Sequence, residues 1–417
     1  MSLLSLSYYY IRQNWLNALL NTILLGLGMG MIVFLILVEV QIQENFRRNI
    51  KGIKMVVGAK GSPLQLILCN VYHLDNPTGN ISLAEAQAIA GNSRFVKKAI
   101  PLALGDNYAG FRIVGTNAAF LTHYQLRLAR GKIFDRMMEV TLGAEVAQTT
   151  GLRLGDTFHS AHGLAEEAEA ESHEAHQFKV VGILEKSGTV ADQLLLTGIP
   201  AFWLVHQEGQ AADTPPWAAA GKPLPDILKM PPENYQITAL LITEYRNPLA
   251  AINLPRQINQ QTSLQAALPA LEINRIFEQL GVGVKVIGLL AYILIGLAAL
   301  STFIALYNAL RARHYDLAIL RSLGATRGQL FGLMLLEGEL LACLGLGLGL
   351  ATGHLTVEWI GHWEGFTDKL SLTGWRWEST EYQLILLMLG VGFLAALLPA
   401  WQSYRLEVGK ILGRANG

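Results

Sequence analysis

Charge-free stretches fall unevenly along this chain: one lies near the start, three lie near the end, and some 240 mostly polar residues separate them. Trp15 to Val38 runs 24 residues without a charge, Val286 to Leu310 runs 25, and Tyr382 to Tyr404 runs 23. About 20 helical residues cross the hydrocarbon of a bilayer, so each is long enough to span. Gln329 to Val357 is apolar apart from Glu337 and Glu339. A carboxylate in lipid costs about 2.5–3.5 kcal/mol on insertion scales, so this fourth span is expected to turn both residues toward protein or toward one end. The pattern predicts a membrane α-helical protein with four transmembrane helices, one plus three. A large mixed α/β extracytoplasmic domain is expected between helices 1 and 2.

The polar segments refine that division. Residues 1–14 form an amphipathic segment expected to lie on the inner membrane face, ahead of the first span at 15–38. Residues 39–280 form the extracytoplasmic domain. Glu39 to Lys54 continues the first span as a helical stalk, Gly58 to Gly61 and Pro63 break it, and a helix from about Leu264 to Leu280 returns as a second stalk. Val96 to Leu104 and Tyr108 to Thr116 alternate as strands around a Gly105-Asp106-Asn107 turn, and Phe178 to Leu184 is a further strand. Ser82 to Ala90 and Glu145 to Thr150 read as short helices, the second closed by Gly151. The proline-rich stretch 207–234 reads as an irregular excursion. The remaining spans are 286–310, 329–357 and 382–404, joined by loops at 311–328 and 358–381 and followed by a tail at 405–417.

Charge sets the expected orientation. Arg12, Arg311, Arg313, Arg321, Arg327, Arg405, Lys410 and Arg414 face only Asp316 and Glu407 on one side, whereas Glu358, Glu364, Asp368, Glu378 and Glu381 outnumber Lys369 and Arg376 on the other. The positive-inside rule therefore places both termini and the 311–328 loop in the cytoplasm of a bacterial inner membrane. The first span lacks a short apolar core ending at a small-residue cleavage site, so it reads as an anchor rather than a signal peptide. Hydrophobic residues make up 51% of the chain, and its net charge of zero leaves no electrostatic footprint for nucleic acid. Cys69 and Cys343 fall on different sides of the boundary and are not expected to pair.

Two features of the spans invite function. Gly345, Gly349 and Gly353 repeat every four residues on one face of the third span, as Gly26 and Gly30 do in the first, which suits close helix packing, within the chain ahead of a subunit interface. Glu337 and Glu339 admit a proton relay or a buried hydrogen bond between helices. No basic residue lies in another span, which favours the hydrogen bond.

The loop between the second and third spans carries the most specific signal. Leu317, Leu320 and Leu323 follow at helical spacing with charges opposite, and Gly324 reads as a helix stop. From Asp316 to Ala325 the segment resembles the MacB/FtsX-type permeases of ABC exporters, in which a short acidic-apolar-Arg-x-Leu-Gly-Ala loop docks on the nucleotide-binding subunit. Pro399-Ala-Trp-Gln-Ser403 resembles that family's closing segment, with Ser403 where alanine is usual. Gly115-Thr-Asn, Gly131-Lys-Ile-Phe, Leu142-Gly-Ala-Glu-Val-Ala147, Gly151-Leu-x-x-Gly-Asp156 and the Phe178 to Leu184 strand resemble the ordered signposts of its periplasmic domain.

The resemblance implies a mechanotransmission permease. It would form a homodimer, or pair with a homologous permease, and bind two copies of a separate ATPase that holds ATP and Mg²⁺. It implies Asp316, Leu317, Leu320, Arg321, Leu323 and Gly324 as coupling residues and a periplasmic adaptor or substrate-binding protein as a further candidate partner. The chain has no G-x-x-x-x-G-K-(S/T) phosphate loop, so it is not expected to be the hydrolase.

One insertion departs from the family. His159-x-x-His162 and His173-x-x-His176 flank a run of glutamates between Asp156 and Phe178. Four imidazoles of that kind could hold Zn²⁺, and a solvated Ala/Glu/His-rich loop is the alternative. The leading function is thus an export or lipoprotein-extraction permease. The alternatives are a signalling permease that controls a periplasmic partner, as the division-type members do, and a zinc-linked transport system. An ion-coupled secondary transporter would need an internal repeat that is not visible.

Overall fold

The structure, a computed structural model, describes residues 3–162, 176–205, 221–232, 235–362 and 372–405. Four of its helices are long and apolar enough to cross a membrane: α2 (Trp15–Ile50), α9 (Pro269–Ala312), α11 (Arg327–Gly361) and α12 (Ser379–Tyr404). At 1.5 Å per residue the 44 residues of α9 reach about 66 Å, about twice the thickness of a hydrocarbon core, which leaves length for the expected stalk. That stalk starts later than the expected Leu264. Leu264–Ala267 is a strand, β13, whose Val56 and Val57 partners hold it in a sheet, and the helix begins at Pro269, where a fixed φ and missing N–H suit a first turn.

The chain divides into two compact units, Glu44–Glu278 on one hand and Met1–Gln43 with Gln279–Gly417 on the other. In the helical unit, α1 (Leu3–Gln13) precedes α2, and α10 (His314–Ser322) lies between α9 and α11. The helices meet through small residues. A methyl group at Gly345 would stand 2.5 Å from Leu25 Cβ, at Gly349 2.5 Å from Met29 Cβ, and at Gly353 2.7 Å from Val33 Cγ1, so the expected glycine face receives α2 of the same chain. Gly338 against Ala396 and Gly392 against Ala342 do the same for α11 and α12.

The ectodomain unit is built on a mixed sheet of 11 described strands. Nine follow the order β13, β1 (Met55–Ala59), β12 (Ala239–Tyr245), β3 (Val96–Tyr108), β4 (Phe111–Thr116), β10 (Leu194–Gly198), β6 (Glu139–Leu142), β9 (Phe178–Leu184), β5 (Leu128–Gly131). β7 (Thr157–Phe158) adds to β9 and β8 (Ala161–His162) to β3, while β2 (Ile81–Ser82) pairs β11 (Gln236–Ile237) in a small second sheet. β10 runs parallel to β4 and β9 to β6; the other pairs are antiparallel. Side chains alternate across the sheet, so Val56 and Leu241 enter one core while Val57, Leu240 and Ile242 enter another. Both faces are covered by helices, among them α3 (Pro63–Asn70), α4 (Leu83–Ala90), α5 (Ala118–His123), α6 (Ala144–Thr150), α7 (Ile199–Val205) and α8 (Ala250–Gln261).

Local chemistry explains the element ends. Ser82 and Glu85 form a reciprocal capping box at the start of α4, and Gly151, with φ of 72°, closes α6. The β3–β4 hairpin differs from expectation. β3 runs straight through Gly105-Asp106-Asn107, which forms an irregularity between Leu104 and Asn107, and the turn lies at Ala109 and Gly110, both at positive φ. Asp106 is held in the strand by pairing with His162 of β8, a partner the local sequence does not announce.

Candidate functional site

α10 follows α9 after one residue, Arg313, and Gly324 at φ 105° ends it before Thr326 and Gln329 cap α11 with a second capping box. Leu317 and Ala318 are fully buried in a cluster with Tyr10, Leu310, Leu330 and Met334, and Leu320 packs partly against it. The expected Leu317, Leu320, Leu323 stripe is therefore not one outward face. Leu317 is core of this chain's own bundle, and Leu323, past the last helical residue, is 79% exposed. The apolar residues that do face outward are Tyr315, Ile319 and Leu323, one turn apart, with exposed Asp316 and Ser322 beside them and Arg321 half-buried. Helical spacing alone fits both stripes; what selects between them is the wall of α11 and α1 underneath.

Arg313 was expected as a loop charge and is instead buried. Its Nη1 lies 3.5 Å from Glu337 Oε1, Nη2 donates to the Tyr10 carbonyl at 3.2 Å, and the guanidinium sits 4.0 Å over the Tyr10 ring. Both side chains of the pair are only 6% exposed. Glu337 thus finds a basic partner just past the end of α9, so its interhelical contact is ionic. Burial holds the Tyr10 phenol above its ordinary range even with Arg313 opposing it. Beside the pair lies a cavity of about 210 Å³ lined by Glu337, Asn14, Asn17, Asn21 and Asn308. Ser301 Oγ donates to Asn21 Oδ1 at 2.6 Å.

A second polar cluster, which sequence reasoning missed, closes the other end of the bundle. His354 of α11 places Nδ1 2.6 Å from the Gly374 carbonyl and Nε2 2.9 Å from Glu381 Oε2, with Trp377 stacked on its ring. Glu381 is fully buried and its Oε1 accepts from the Glu378 N–H at 2.9 Å. Gln41 of α2 exchanges two 2.9 Å hydrogen bonds with the backbone of Thr373, and Glu358 accepts from the Gly374 N–H at 2.7 Å. The available signal was a histidine inside an otherwise apolar span.

The histidine insertion is only partly described. His159 follows β7 and contacts Gln177 at 3.1 Å, His162 lies in β8, and His176 precedes β9; His173 and the glutamates lie outside the described residues. Among the described residues no group of three or more His, Cys, Asp or Glu side chains is arranged to hold a metal ion.

Four membrane-length helices, a mixed α/β domain between the first two, and a short helix between the second and third define a membrane protein with a folded domain inserted between its first two spans. Two family models match: the MacB-like periplasmic core domain over residues 18–214 and the FtsX-like permease C-terminal region over residues 288–408. The chain belongs to the MacB/FtsX-type family of ABC transporter permeases, whose members work with a separate ABC ATPase subunit. Among solved structures it is similar to the periplasmic region of MacB from Actinobacillus actinomycetemcomitans, at 12% identity over 55% of this chain and 96% of that one, TM-score 0.32. The extracellular domain of the noncanonic ABC-type transporter YknZ from Gram-positive bacteria matches at 12% identity over 51% and 98%, TM-score 0.29. The curated proteins contain no match.

Proposed function

We propose that this chain is the transmembrane subunit of an ABC export or lipoprotein-extraction complex, and that it couples ATP hydrolysis by a separate ATPase to motions of its extracytoplasmic domain. Two permease chains engage two ATPase subunits, with both termini and α10 on the cytoplasmic side. The observation that carries this reading is the two-sided build of α10. Its inner face is anchored in the bundle by Leu317 and Ala318, and its outer face presents Tyr315, Ile319 and Leu323 beside Asp316. A push on the outer face is therefore delivered to packed helices rather than dissipated in a loop.

Burying one such apolar side chain is worth about 1.5–3 kcal/mol, so losing two should weaken docking at least about a hundredfold. Ile319→Asp with Leu323→Asp is expected to leave a folded, membrane-inserted permease from which the ATPase no longer co-purifies. Stoichiometric ATPase on that variant would refute docking at α10.

A further inference from the structure

The Arg313–Glu337 pair is poorly made for a contact whose only task is to hold helices together. A charge-assisted N–H···O bond normally closes to about 2.7–2.9 Å and an arginine offers its carboxylate two parallel donors, yet here one nitrogen stands 3.5 Å from one oxygen. Among the described residues, Glu337 Oε2 is buried without a hydrogen-bond partner. Taking both charges out of water is costly and is offset only when every lone pair and proton is satisfied. What distinguishes this place is room: Glu337 also lines the cavity of about 210 Å³ whose walls carry four asparagine side chains. Asn14, Asn17 and Asn308 are exposed and Asn21 is buried, and these amides are the alternative donors open to the carboxylate.

The position of Arg313 gives such a choice consequences. It is the single residue between α9 and α10, it holds the backbone and ring of Tyr10 in α1, and it meets Glu337 of α11. A displacement of α10 therefore acts on that guanidinium as well as on the buried Leu317 and Ala318. We infer that Arg313 and Glu337 form a two-position latch, in which Glu337 is either paired with Arg313 or turned into the asparagine-lined cavity. Movement of α10 selects between the two positions and so is passed to α1 and α11. Coupling between distant sites needs a discrete two-state element of this kind. The inference rests on α10 being the element on which the ATPase acts.

The test uses the full permease with its ATPase in nanodiscs, with Cys69 and Cys343 replaced by serine and a reporter cysteine introduced as Ala305→Cys in the cavity wall. Reactivity toward a small thiol reagent is compared without nucleotide and with Mg·ATP trapped on the ATPase. The latch predicts a severalfold change on trapping, its disappearance in Glu337→Gln, and its partial return in Glu337→Asp, which keeps the charge. ATPase co-purification and hydrolysis persist in all three, which a loss of fold would not allow. If Glu337→Gln lowers the yield of folded protein, Asn308→Leu tests the claim from the cavity side: it withdraws one of the alternative donors and should suppress the change while sparing the pair. A nucleotide-dependent change of unaltered size in Glu337→Gln or in Asn308→Leu overturns the latch, as does its absence in the parent complex. Failure of the docking reading has a different signature, namely ATPase retained on Ile319→Asp with Leu323→Asp.

Discussion

Among the described residues, each end of the helical bundle carries a buried carboxylate with a basic partner, and the two contacts are built to different standards. At the end from which α2 continues past Gln41, both ring nitrogens of His354 and both oxygens of Glu381 have partners at 2.6–2.9 Å. Gly374 lies so close that a side chain there would collide with the His354 carbonyl. At the α10 end the Arg313–Glu337 contact is 3.5 Å, Glu337 Oε2 has no hydrogen-bond partner among the described residues, and a cavity adjoins it. The same four helices thus meet through closely made polar contacts at one end and through a longer, incompletely satisfied contact at the other, which is the distribution expected if the bundle receives a push near α10 and keeps its far end in register.

The largest expected effect tests that asymmetry. Removing one partner of a well-made buried pair costs about 3–5 kcal/mol, so Glu381→Leu should lower the thermal midpoint of the solubilised protein sharply. Glu337→Leu should cost less than about half as much, because Arg313 keeps the Tyr10 carbonyl and ring. Equal losses from the two substitutions would erase the distinction between the ends.

Acid should act on the ectodomain as well, and that contribution must be separated before pH effects on the bundle are read. His73, at φ 55° after α3, has both ring nitrogens shut off from solvent although part of the residue is exposed. Burial first, and then the neighbouring Arg112, lower its pKa from 6.5 to about 3. The unfolded chain therefore binds the proton more readily, so the stability due to neutral His73 is present above pH 6.5 and is lost as pH falls toward about 3. The expected slope is roughly 1.4 kcal/mol per pH unit in that window, and His73→Leu should flatten it in ectodomain unfolding followed by hydrogen exchange. An unchanged slope would remove His73 from the account.

The smallest effect concerns the wall between the ends. Gly349→Ala forces a methyl to within 2.5 Å of Met29 Cβ and should destabilise by about 1–3 kcal/mol. Gly347→Ala, two residues away with nothing within 4 Å, should cost nothing in thermal unfolding. If both behave alike, α2 and α11 do not meet along that face.

Sequence periodicity exposed what depends on near neighbours. The four long helices, α4 with its Ser82 cap and α6 with Gly151 could be read because a charge-free run, a capping pair or a left-handed glycine acts within a few residues. What depends on distant partners could not. β13 reads as the start of a helix until β1 is there to pair with it, and Gly105-Asp106-Asn107 reads as a turn until β8 claims Asp106. The candidate site divides in the same way. α10 itself was legible, but its outward face was not, since only the contact of Leu317 with Leu330 and Met334 tells the two apolar stripes apart. Arg313 looked like one more positive loop residue, and Gln41 with Thr373 lies 332 positions apart.

The most direct measurement places a photo-crosslinking amino acid at Leu323 and, in a separate protein, at Leu355, an exposed apolar position on α11. Irradiation of the membrane-embedded complex is expected to join Leu323 covalently to the ATPase and to leave Leu355 free of it. No ATPase adduct at Leu323, or equal adducts at both positions, would contradict the claim that the outer face of α10 receives the ATPase.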